Sequence, residues 1–201
     1  MQDAIDQFRG NIGHVRNIHA LHGAFSSRIT SALDLSDLLR SQIVMAVSAL
    51  DHYVHEATRI GMLEVLDGRR PQTPAFQRFA ISLDNALQIK TATTNIWLET
   101  EIRARHGFLS FQQPDKIADA IRLISPIEVW NEVGAALNKP ASDIKSRLQL
   151  IVDRRNKITH EADIDPTYPG SGVRWPITAT MVSDATDFIE EICETIHARI
   201  I

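Results

Sequence analysis

The sequence predicts an all-α fold, a single-domain up-and-down helical bundle with additional short helices spanning residues 1–201. Three observations carry that prediction. Apolar residues recur at three- and four-residue intervals along most of the chain, no stretch of any length alternates apolar with polar, and the Pro- and Gly-containing breaks fall between the periodic segments. With 201 residues, 44% of them hydrophobic and 23% charged, the chain is large enough to bury a core without disulfide or metal staples.

From Asp3 to about Phe25, the residues Ile5, Phe8, Ile12, Val15, Ile18 and Leu21 mark a first helix, weakened in its middle by Gly10 and Gly13. Ser31 to Ser36 is a polar break in which Asp34 or Ser36 can cap the next helix. Leu39, Ile43, Ala46, Leu50, Val54, Ala57 and Ile60 then form an unbroken stripe, widened by Val44 and Val47. This second helix should be long and central, covered on more than one side. Gly68 to Pro74 reads as a loop with Thr73 as a cap and Pro74 at the first helical position. Helical patterning continues from Phe76 to Ile89, meets a Thr-rich joint at Thr91 to Thr94, and runs on through Ile96, Trp97 and Ile102 to His106-Gly107. Pro114 and Pro126 open two shorter segments, Asp115 to Ile124 and Ile127 to Leu137. Pro140-Ala141-Ser142-Asp143 starts a long helix through Ile144, Leu148, Ile151, Val152 and Ile158, followed by a Pro/Gly loop from Asp165 to Pro176. A last helix, about Val182 to Ile200, buries Ala185, Phe188, Ile192 and Ile196.

A formal net charge of -4 argues against broad electrostatic attraction to nucleic acid, so RNA binding would need a local basic site. The single Cys193 forms no intramolecular disulfide and calls for no oxidising compartment. Met1 to Gly10 lacks an apolar signal region, and the most apolar run, Ile43 to Leu50, is far too short to span a bilayer. A cytoplasmic protein with no membrane partner is expected.

The stretch that can carry chemistry is Asp153-Arg154-Arg155-Asn156-Lys157-Ile158-Thr159-His160-Glu161. It sets arginine, amide and histidine within about two helical turns, a set able to handle a phosphodiester. On an ideal helix Asn156 and His160 share a face while Arg155 points about 140° away from His160, in the middle of the stripe of Leu148, Ile151 and Ile158. Two readings follow. In one, Arg155 is a buried structural arginine paired with a carboxylate from the second helix, and His160 is solvated. In the other, the set is a catalytic site. The bare spacing decides nothing, because Arg9 with His14, Arg16 with His22 and Arg154 with His160 satisfy it too.

Context adds more. The stretch closes a long helix, a Pro/Gly loop follows, and one more amphipathic helix ends the chain. Together with Leu50-Asp51-His52-Tyr53-Val54-His55-Glu56 on the second helix, the arrangement resembles the HEPN superfamily of all-α domains, most closely its RiboL-PSP-HEPN branch. The resemblance implies a metal-independent endoribonuclease needing no cofactor, toxin-like or a defence effector, acting on RNA as a homodimer whose two motifs line one cleft. Residue by residue it implies that Arg155 is the family's catalytic arginine, Asn156 the polar residue beside it and His160 the histidine; Arg154, Asp51 and His55 are supporting candidates. Asp51 or His55 would approach the motif helix and orient Arg155 or His160; the alternative is an ordinary polar edge of a bundle helix. The divergence of Arg155 and His160 leads to the expectation of a composite site built from both chains of a dimer.

Lesser candidates are Arg174 and Trp175 on the Pro/Gly loop, where the indole can stack on a base, and Arg69 and Arg70 before Pro71. His14, His19 and His22 with Arg16 read first as surface decoration, and Trp97 and Trp130 as packing residues. Glu194 and His197 supply one Glu-x-x-His, whereas a di-iron bundle needs two plus further carboxylates, so no metal site is expected. Two rivals to the enzyme stay open. One is a non-catalytic HEPN-like module for RNA binding, protein binding or dimerisation, with an antitoxin or effector protein as partner. The other is a transcriptional regulator, for which no basic helix-turn-helix is evident.

Overall fold

The computed structural model describes residues 1–28, 33–89 and 94–201 and is all-α, as the periodicity predicts. Four long helices, α1 (Gln2–Ser26), α2 (Ser36–Leu66), α8 (Ala141–His160) and α9 (Ala179–Ile200), form an up-and-down bundle. The shorter α3 (Pro74–Gln77), α4 (Leu83–Gln88), α5 (Ile96–His106), α6 (Pro114–Arg122) and α7 (Val129–Leu137) pack around it. Among the described residues the only β pairing is an isolated antiparallel bridge between Ile164 and Arg174.

Side-chain pairings fix the helix directions. The Met1 amino group lies 3.4 Å from Glu64 near the end of α2, and His19 Nδ1 lies 3.0 Å from Gln42 near its start, so α1 and α2 are antiparallel. Arg9 and Arg16 of α1 reach Glu194 and Glu190 of α9, again antiparallel. Leu39 and Ile43 at the start of α2 cluster with Val182 and Ala185 at the start of α9, and Ile158 at the end of α8 packs on the same group. Hence α8 runs against α2 and brings its last turns to the start of α2.

Helix α2 is central because its stripe from Leu39 to Ala57 is buried and its second flank is buried at Val47 and half-buried at Val44. Ala46, Val47, Leu50, Tyr53, Val54 and Ala57 are fully enclosed, and α2 touches α1, α5, α6, α8 and α9. Gly61 permits one of these approaches. A Cβ there would stand 2.7 Å from Ile124 Cγ2, inside van der Waals contact with a fully buried side chain. Gly61→Val should therefore cost about 1–3 kcal/mol through overpacking, read as a lower urea midpoint with an unchanged m-value.

Several boundaries differ from those the sequence predicts. The segment Phe76 to Ile89 is not one helix: α3 ends at Gln77 and α4 restarts after Ser82, whose Oγ accepts the Asn85 N–H at 3.2 Å. The break is held from outside, since Glu101 of α5 accepts the Ser82 backbone N–H and hydroxyl, each at 3.0 Å, and the Asn85 amide. Thr91 to Thr93 of the Thr-rich joint, and Ser31 of the first break, lie outside the described residues. Asp34 accepts the Ser36 N–H at 2.8 Å at the start of α2, and Thr73 caps α3 as predicted, accepting from Phe76 at 3.0 Å. Trp130 is buried and donates Nε1–H to the Pro114 carbonyl at 2.8 Å, which fastens α7 to the start of α6.

Candidate functional site

The stripe of α8 buries Ile144, Leu148 and Val152 completely, and Arg155 is the next residue on it, half-buried where the core ends. Its Nη1 donates to the Asn156 side-chain oxygen at 2.9 Å, while its Nε is enclosed without a partner among the described residues. His160 stands exposed in the last turn of α8. Arg155 and His160 are both on α8, but no hydrogen bond joins them among the described residues.

Beyond His160 the chain turns sharply. Ala162 and Asp163 both take left-handed conformations, with φ of 52° and 58°. The Asp163 N–H donates at 2.9 Å to the carbonyl of Lys157, six residues back, which the Glu161 N–H also reaches at 3.0 Å, so the turn folds back onto the helix end. The Asp163 carboxylate is 0% exposed. Its Oδ2 accepts from Arg40 Nε of α2 at 2.7 Å and from Arg154 Nη2 of α8 at 2.8 Å. Both guanidinium groups also donate to the Trp175 carbonyl, at 2.9 and 3.1 Å, and the Trp175 N–H returns to the Asp163 carbonyl at 2.9 Å. Burial, together with the neighbouring Arg40 charge, draws the Arg154 guanidinium below its ordinary pKa against the pull of Asp163.

These contacts correct the structural reading of the motif. The arginine locked to a buried carboxylate is Arg154 and not Arg155, and the carboxylate comes from the turn after α8 and not from α2, which supplies Arg40 instead. Neither Arg40 nor Asp163 stood out in the sequence. The available signal was Arg40 itself, a cation four and seven residues before Val44 and Val47 on the second apolar flank of α2.

The loop after α8 is a short hairpin. Asp165 N–H donates to the Val173 carbonyl at 2.8 Å beside the Ile164–Arg174 bridge, and Gly170 and Gly172 take positive φ at its tip. Arg174 does not project freely: it pairs with Asp37 and lies 3.6 Å from Asp34 at the start of α2. Trp175 is half-buried, with Lys157 Nζ 5.0 Å from its ring centroid. Both residues adjoin the motif turn, and both are engaged within the chain.

The remaining candidates lie elsewhere. Arg70 binds Glu64 at 3.2 Å and the Ile200 carbonyl, and Arg69 binds Asp67 at 2.8 Å, so both sit past the far end of the 31-residue α2 from Arg40. Asp51 does not approach the motif turn. It accepts the Phe111 N–H at 2.6 Å and the Gln112 amide at 2.9 Å, with His55 Nε2 at 3.6 Å, about 16 Å along α2 from Arg40. Arg16 pairs with Asp187 and Glu190, and Glu194 with Arg9, while His197 is buried beside Tyr53. Among the described residues no three His, Cys, Asp or Glu side chains are placed to hold a metal ion, and no helix is long and apolar enough to cross a membrane. Cys193 is buried, and burial pushes its thiol pKa well up.

His55 borders a cleft of about 270 Å³ with His52, Glu56, Arg59, Arg103 and His106. His106 is 6% exposed, its ring 5.8 Å from Phe79, 5.3 Å from Phe111 and 6.5 Å from His55. Burial lowers its pKa to about 4 from an ordinary value of 6.5. The unfolded chain thus binds the proton more tightly, so stability is intact above 6.5 and is lost as pH falls from there to about 4. His106→Leu should flatten that stretch of a Tm-against-pH curve, relieving up to about 3 kcal/mol of acid destabilisation.

A family model, RiboL-PSP-HEPN, matches residues 15–201. The chain belongs to the RiboL-PSP-HEPN family. The match takes in α2 with its Asp51-to-Glu56 stretch, the motif of α8, the hairpin and α9, and HEPN membership makes the protein a ribonuclease-like or RNA-binding module. Searches of curated proteins and of solved structures each returned no match. Within this HEPN domain the Arg155-Asn156 pair and His160 occupy the end of the penultimate long helix, with Arg154 beside them committed to the Asp163 turn.

Proposed function

We propose that this HEPN domain is a metal-independent endoribonuclease, toxin-like or a defence effector, that acts as a homodimer. The observation that supports it is the different fate of two adjacent arginines. Arg154 is consumed by Asp163, Trp175 and Pro176, whereas among the described residues the Arg155 side chain is hydrogen-bonded only to its neighbour Asn156, and His160 is exposed to solvent. A side chain held by the fold is poorly suited to bind a substrate; these two are not so held.

The chemistry follows from those groups. His160 accepts the proton of a ribose 2′-hydroxyl, or supplies one to the departing 5′-oxygen. The 2′-oxygen attacks phosphorus, the P–O5′ bond breaks, and the product carries a 2′,3′-cyclic phosphate. Arg155 stabilises the charge that builds on the phosphoryl oxygens, with Asn156 orienting its guanidinium through the 2.9 Å bond. Proton transfer and charge stabilisation both come from side chains. Because Arg155 and His160 diverge by about 140° on an ideal helix, a two-fold pairing of chains supplies the arginine of one and the histidine of the other to a single phosphate. A nuclease of this kind needs restraint in its cell, which suits an antitoxin or effector protein as partner.

A second reading, a non-catalytic module for RNA or protein binding, is favoured by the net charge of -4 and by the pairing of Arg174 with Asp37 and Asp34. Pure protein incubated with single-stranded RNA in EDTA separates the two. Cleavage to cyclic-phosphate ends is the outcome expected of the enzyme, and intact RNA under every condition favours the module. Sedimentation of the same samples checks the assembly, where a fully active monomer would remove the composite site.

A further inference from the structure

We infer that Asp163 and Arg40 are positioning residues of the α8 motif, a role that rests on the ribonuclease reading but is testable apart from it. The last turn of α8, Lys157 to His160, meets the core through Ile158, while Lys157 is half-buried and Thr159 and His160 are exposed. A helix end in that situation frays unless its carbonyls and its direction are held. Asp163 holds both. Its N–H closes on the Lys157 carbonyl at 2.9 Å, its carboxylate binds Arg154 one turn earlier on the same helix at 2.8 Å, and Arg40 ties that carboxylate to α2 at 2.7 Å.

The clamp is built from groups that are costly to place. Asp163 is wholly buried at φ 58°, with Oδ1 unpartnered among the described residues, and the Arg40 side chain is 7% exposed. A buried carboxylate on a left-handed residue persists where surrounding contacts over-determine it. Arg40 spends its other donors on Ser36 Oγ at 2.6 Å and the Trp175 carbonyl at 2.9 Å, so the start of α2, the end of α8 and the base of the hairpin converge on one carboxylate. Arg154 and Asp163 bracket Arg155 and His160 in sequence, and any tilt of the last turn changes the distance between them.

The test compares the full chain with Asp163→Asn, which keeps shape and removes charge, and Arg40→Lys, which keeps charge and removes the planar fork. Amides of Lys157 to Glu161 are expected to exchange about tenfold faster or more in both variants, while amides in the α1, α2 and α9 core keep their protection. The His160 imidazole NMR signal is expected to move, and RNA cleavage to lose about tenfold or more in kcat with KM within about twofold. Native exchange at the helix end with an unmoved His160 signal overturns the inference, as does an unchanged kcat in a variant whose helix end has loosened. If Asp163→Asn does not fold, Arg40→Lys decides by the same readouts. A shifted His160 signal with faster exchange, in a protein whose wild type cleaves no RNA, sinks the ribonuclease reading and leaves the clamp standing.

Discussion

His160→Ala should lower RNA cleavage by about 10²–10⁴-fold, the range general acid–base groups supply. Stability should stay within about 0.5 kcal/mol of wild type, because the side chain is exposed in the last turn of α8. Arg155→Ala should cost about 10²–10³-fold through lost stabilisation of the phosphoryl charge. It also empties a half-buried place on the core stripe, so its thermal midpoint should fall more than that of His160→Ala. Single-turnover kinetics alongside thermal denaturation separates the two effects. Cleavage that is unaffected by either substitution removes the site assignment.

The largest stability loss is expected at Asp163→Ala, about 3–5 kcal/mol. Removing the carboxylate leaves Arg40, almost fully enclosed, and the half-buried Arg154 facing each other without a counter-charge. Alanine also inherits the left-handed φ of 58° without the short polar side chain that tolerates it. Urea unfolding gives the number, and a double-mutant cycle of Asp163→Ala with Arg40→Ala should return a coupling of about 0.5–3 kcal/mol. Arg174→Ala provides the contrast: its partners Asp37 and Asp34 are largely exposed, so its loss should cost no more than about 1 kcal/mol.

Most of the fold was legible because it is written in local periodicity. The stripes of α1, α2, α8 and α9 place every long helix, and Thr73 with Pro74 marks the start of α3 by chemistry that needs no distant partner. What was not legible depends on side chains far apart in sequence. The interruption between α3 and α4 is held by Glu101, 19 residues beyond Ser82, and no window around Phe76 to Ile89 contains that information. The site shows the same division. The place of Arg155 and His160 on α8 follows from helical geometry, but the assignment of the buried ion pair required knowing that Asp163 folds back and that Arg40, 123 residues away, meets it. Asp51 failed for a related reason: its spacing fixes a face of α2, and the face alone does not say that Phe111 and Gln112 occupy it.

The most direct test of the central claim is complementation between two inactive variants. Arg155→Ala and His160→Ala protein, each unable to cleave RNA alone, are mixed, allowed to exchange subunits and assayed on single-stranded RNA in EDTA. A composite site joins the intact arginine of one chain to the intact histidine of the other, so an equal mixture should recover about a quarter of wild-type activity. A mixture as inactive as its two components, with subunit exchange shown to have occurred, would contradict the account.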